Sequence, residues 1–309
     1  MRAKPKLRVW IWPPPPIMRR LWLTILIATS YSLAVYAFGR GLLGDLPGWS
    51  AEFGLVNGLV LGVLVGVRTR AAFDRWFDGQ KLWTEVTVHS RNLALKLAHL
   101  VRATTTDRQL AGALIGGFSV ALMNRLRGEN RLATVPGFES DLAAPAHVPA
   151  FLAGRLHALG ARWFSEGKLD LPGLWAWEAN VRALMDAVGH CERVAQTPVP
   201  ASFHALLRHG LLLSLILAPW HLIHALGLWA IPVQALIIYF MFGIELTAEE
   251  IENPFGNDAD DLPLQTYCDA VRRDVAEILA DADTPPTQGT PTSSAAVIAA
   301  VPTVTDSEN

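Results

Sequence analysis

The sequence predicts an all-α integral membrane protein with four transmembrane helices and a cytoplasmic helical region. Three observations carry this expectation. Residues 21–39 and 53–67 contain no charged side chain, and residues 210–244 contain no Asp, Glu, Lys or Arg. No segment alternates polar and apolar residues over more than a few positions, as a half-buried strand must. Lys and Arg are unevenly placed: six precede Leu21, only Arg40 lies in the first loop, 17 fall between Arg68 and Arg208, and two follow the last apolar run.

Each span has its own justification. Residues 21–39 are flanked by Arg19, Arg20 and Arg40 and are long enough to cross a bilayer. Residues 53–67 are short, so Glu52 or Arg68 must sit at an interface or beside water. Residues 210–244 are too long for one span at about 1.5 Å per residue. Pro219, Gly227 and Pro232 are expected to break them into two helices joined near residues 220–229. Four spans put both termini on one side, and the basic segments make that side cytoplasmic. The predicted organisation is an N-terminal cytoplasmic segment (1–20), two spans (21–70), a cytoplasmic helical region (71–205), two more spans (206–246), a cytoplasmic acidic loop and helix (247–282) and a disordered tail (283–309).

Bulk composition agrees. The chain is 51% hydrophobic and 17% charged, with eleven tryptophans and a net charge of -2. That balance suits lipid contact and excludes a polybasic nucleic-acid binder. Pro13 to Pro16 stand where a signal peptide would need its apolar helix, so residues 1–18 read as mature protein. Cys191 and Cys268 form no CxxC pair. In the cytoplasmic region, residues 71–103, 151–164 and 174–194 carry apolar positions at helical spacing, including Trp76, Leu82, Trp83, Val86, Leu93, Leu97 and Leu100. Residues 262–279 read as a further helix.

The second span is the most informative. Gly54, Gly58, Gly62 and Gly66 recur every four residues and form one ridge suited to close helix approach. Leu55, Leu59, Val63 and Val67 form an aliphatic stripe beside it. If several copies surround an axis, that stripe lines a narrow tube, and hydrophobic constrictions of this kind gate by dewetting. The alternative is a tightly packed helix with no pore. Glu52 and Arg70 lie close to the stripe's face at its two ends. An outer ring of Glu52 favours cations and an inner ring of Arg70 favours anions, so the charges leave selectivity open.

Two sequence blocks point to a family. One is Arg75-Trp76-Phe77, within residues 68–83. The other is Glu252-Asn253-Pro254-Phe255-Gly256 followed by Asp258, Asp260 and Asp261. They resemble the bestrophin segments that follow the second and the last span, and residues 191–200 are similar to the bacterial members before their third span. The resemblance implies a homopentamer around a central pore that passes small monovalent ions, chloride first. It places the pore neck on Leu59, Val63 and Val67 and a cytoplasmic aperture near Leu174, in a protein of the inner membrane. A cation-selective channel and a non-conducting scaffold or sensor are the alternatives. No cofactor is required. In animal bestrophins the acidic segment clasps calcium, which here would fall to Asp258 and Asp261, with Asn253 and Glu250 adding carbonyl oxygens. The other reading makes Asp260 and Asp261 an N-terminal cap for the helix that follows. His221 and His224 lack a third metal ligand and read as interfacial. No nucleophile triad, phosphate loop or carboxylate pair is present in the sequence.

Overall fold

The computed structural model describes residues 15–42, 51–139, 145–258 and 260–283. Eight α-helices make up most of them: α1 (Pro15–Leu42), α2 (Ala51–His99), α3 (Thr105–Leu126), α4 (Val148–Ser165), α5 (Leu171–Gln196), α6 (Ala201–Leu226), α7 (Ala230–Ile251) and α8 (Leu264–Asp283). There is no strand among the described residues. Three stretches are long and apolar enough to cross a membrane: Met18–Phe38, Gly54–His99 and Leu171–Ile251, the last taking in α5, α6 and α7.

α2 is one uninterrupted helix of 49 residues, about 74 Å long. It passes straight through the expected boundary at residue 70 and ends at His99 rather than Ala103. Its first half joins α1, α6 and α7 in an apolar bundle in which α1 and α2 each pack on α6 and α7. Polar side chains inside this bundle pair across helices: Ser32 donates to Gln234 Oε1 at 2.8 Å, Asn57 to Ser214 Oγ at 3.0 Å, and Trp220 Nε1 to the Tyr31 hydroxyl at 3.0 Å. Such pairs are what an apolar medium demands of polar groups.

The second half of α2 packs with α3, α4, α5 and α8 around one core. Trp83, Phe118, Trp163 and Trp177 are buried there, with Trp163 and Trp177 edge to face at 5.2 Å. Of the apolar positions expected on α2, Leu82, Trp83, Val86, Leu93 and Leu97 are buried, and Leu100 is exposed. α3 carries no amphipathic period in its sequence. Thr104 caps it through a reciprocal capping box with Asp107, and residues 114–123 are buried on every side, which erases the 3.6-residue pattern.

The break in the last apolar run is narrower than the three predicted breakers imply. Only Gly227 ends a helix, at φ +57, a conformation that favours glycine. Pro219 sits inside α6. Pro232 lies in the first turn of α7, where no intrahelical donor is needed. The connection is therefore the short turn Gly227–Trp229, and Trp220 belongs to α6.

Candidate functional site: the open face of α2

α2 has two unlike faces along its first half. Leu61, Val65, Arg68 and Ala72 are buried, and around them α2 packs against α6 and α7. On the other side Leu59, Val63 and Val67 are 65%, 59% and 54% exposed, and Leu55 is exposed as well. A Cβ added at Gly58, Gly62 or Gly66 would meet nothing within 4 Å, whereas one at Gly54 would strike His221. Among the described residues the glycine ridge therefore has no partner beyond its first member. Arg70 follows on the same helix with its side chain 85% exposed, 3.9 Å from Asp74. The side chain of Glu52 lies outside the described residues.

Leu174 is half-buried, packed against the core of the α3–α5 region. Leu171 and Trp175 are the exposed apolar side chains of that turn.

The two sequence blocks meet in space. Gly79 of α2 lies against Pro254 and Phe255, so close that an added Cβ would sit 3.0–3.1 Å from their rings. Trp76 Nε1 donates to the Asp260 carbonyl at 3.1 Å. Arg75 donates to the Glu252 carbonyl at 3.0 Å, to the Val194 carbonyl at 2.6 Å and to the Thr197 carbonyl. Val194 and Thr197 belong to the end of α5, and Glu252 follows α7. One guanidinium thus satisfies carbonyls at two helix C-termini, where cations are favoured.

Beside it is a pair that spacing could not reveal. Arg68 is fully buried and donates to Glu252 Oε2 at 2.5 Å. The Val199 amide donates to Glu252 Oε1 at 3.0 Å, and His204 Nε2 lies 3.4 Å from Oε2. Burial would raise the Glu252 carboxyl, but the Val199 amide and Arg68 hold it below the ordinary value. The expected interfacial or water-facing Arg68 is replaced by an internal ion pair. The available signal was the presence of Glu245, Glu249 and Glu252 around the end of an apolar helix, since a charge in such surroundings needs an opposite one.

The acidic loop is compact. Asp261 Oδ2 accepts from the Asp258 amide at 2.6 Å and lies against Gly256, while Asp261 Oδ1 is buried without a partner. Asp261 therefore closes its own loop and does not cap α8, which begins at Leu264. Burial, followed by the Asp258 and Asp260 charges, pushes its carboxyl up to about 6. Asp258 and Asn253 are exposed, and Glu250 is half-buried on α7. Among the described residues no three His, Cys, Asp or Glu side chains are grouped to hold a metal ion, His221 and His224 included.

The sequence matches the family described as Bacterial/Fungal Bestrophin protein over residues 4–277. A Nostoc protein named as a voltage-dependent anion channel-forming protein is 30% identical over 235 residues, covering 72% of this chain and 76% of its own. A Mesorhizobium japonicum protein of the same designation is 30% identical over 262 residues, with 82% of each covered. A solved bacterial bestrophin homolog from Klebsiella pneumoniae superposes with a TM-score of 0.77 at 24% identity, covering 85% of this chain and 98% of that one. The match along nearly the whole chain, and the packing of its two signature blocks against each other, make this protein a member of the bacterial/fungal bestrophin family.

Proposed function

We propose that this membrane protein is an anion channel in which five copies surround an axis lined by α2. α1, the first half of α2, α6 and α7 cross the inner membrane, with both termini cytoplasmic. The observation that carries the reading is the open face of α2. An apolar stripe and a glycine ridge lie bare along a helix whose opposite face is buried. In an assembly, Gly58, Gly62 and Gly66 receive a neighbouring helix while Leu59, Val63 and Val67 close the neck. Exposed Arg70 at the inner end supplies positive charge where anions would enter. The designation of the relatives as anion channel-forming supports the same choice, and both point to a channel rather than an enzyme. Leu174 keeps its place as the candidate residue of the cytoplasmic aperture.

Purified protein in liposomes tests this. Under a potassium chloride gradient, current should reverse near the chloride equilibrium potential. Reversal near the potassium potential would make it a cation channel, and no current in liposomes shown to contain the assembly would make it a scaffold.

A further inference from the structure

A cleft of about 440 Å³ opens between α1, α6 and α7. Its lining changes character along the helices. Arg20, Arg208, Glu245 and Glu249 line it nearest the ends of α1, α6 and α7 that lie together, and Leu212 and Phe242 line it one turn further in. Arg208 and Glu249 pair at 3.2 Å. Arg20 is exposed and forms no ion pair among the described residues. Glu245 is buried, and neither carboxylate oxygen has a hydrogen-bond partner.

The geometry points to a binding site for a phospholipid with a primary ammonium headgroup, its phosphate on Arg20 and Arg208 and its ammonium on Glu249, next to the buried Glu245. An amphipathic cleft fits a headgroup joined to an acyl chain. Two guanidinium groups and two carboxylates match a zwitterion. An anionic glycerol headgroup would add negative charge beside Glu245 and Glu249 and offer them only neutral hydroxyl donors. A primary ammonium brings three N–H donors to Glu249, next to the buried Glu245. A choline headgroup has no N–H to donate. The location suits lipid, because α1 packs mainly on α7 and α6 rather than on α2. With α2 at the axis, α1 lies at the periphery. That placement, and the cytoplasmic leaflet as the source, rest on the proposed function; the cleft and its charges do not.

Native mass spectrometry of the full-length protein in detergent, titrated with ethanolamine, choline and glycerol phospholipids of identical acyl chains, tests the site. The ethanolamine lipid should bind about tenfold more tightly than the choline lipid, the worth of one charge-assisted hydrogen bond. Arg20→Ala combined with Glu249→Gln should erase that preference. Equal binding of ethanolamine and choline lipids, a preference for the glycerol lipid, or a preference that survives in the double variant would each overturn the proposal. The wild-type comparison decides even if the variant fails to fold. Current is not read, so a protein that selects the ethanolamine lipid yet passes no ions would sink the channel reading and leave this site standing.

Discussion

Replacing Glu252 by Ala removes the acceptor that both Arg68 and the Val199 amide use. Arg68 is fully buried, and its Nε and Nη1 already lack partners, so the substitution strips the guanidinium of the one carboxylate hydrogen-bonded to it. Breaking a buried pair from one side costs about 3–5 kcal/mol. The abandoned Val199 amide adds roughly 1 kcal/mol, for a total of about 4–6 kcal/mol. Removing both charges together, as Arg68→Met with Glu252→Met, leaves no orphan cation and should cost about 2 kcal/mol or less relative to wild type. Glu252→Gln keeps an acceptor for Val199 and should fall between. Thermal unfolding in one detergent, followed by tryptophan fluorescence, ranks the four proteins. The reasoning fails if Glu252→Ala melts with wild type. It also fails if the double variant melts no higher than Glu252→Ala, because the cost would then not come from the stranded charge.

Three further outcomes follow from other parts of the molecule. Gly160→Ala should destabilise the protein by about 1–3 kcal/mol, because its Cβ would lie 2.7 Å from Trp177 Cδ1; wild-type melting would contradict the packing described. Asp261 has its carboxyl raised to about 6 from an ordinary 3.8, so the folded protein holds that proton more tightly than the unfolded chain. Its contribution is fully present below the ordinary value and is lost as pH rises through about 6; Asp261→Asn should lessen the fall in melting temperature between pH 5 and pH 7.5, and an unchanged fall would remove Asp261 as its source. For topology, a cysteine at Leu46 should react with an impermeant thiol reagent added outside intact cells and one at Glu129 should not, with the reverse pattern inverting the orientation.

What the sequence disclosed depended on whether an interaction is local. The open stripe of α2 was legible because Leu55, Leu59, Val63 and Val67 are spaced by helical periodicity, and one face of one helix needs no knowledge of the fold. The core of the α3–α5 region was legible along α2 for the same reason, at Trp83, Val86, Leu93 and Leu97. α3 was missed because burial on all sides leaves no polar face to mark its period, although Thr104 and Asp107 spelled a capping box at its start. Pro219 and Pro232 misled because a proline ends a helix only where its missing donor and ring are not accommodated. The Arg68–Glu252 pair joins residues 184 positions apart, and no spacing rule reaches that far. The two family blocks were legible as motifs, but their reason, Gly79 admitting Pro254 and Phe255, is a contact between distant segments.

The central claim is that ions travel along the open face of α2. Cysteines placed singly at Leu59, Val63 and Val67 test it while the protein conducts in a bilayer. The native Cys191 and Cys268 are fully buried, so the wild-type protein supplies an unreactive background. A small water-soluble thiol reagent should block or sharply reduce current in each of the three variants and leave wild type unaffected. Current that persists unchanged in all three variants, in channels shown to be open, would contradict the claim and take the ion path off this face.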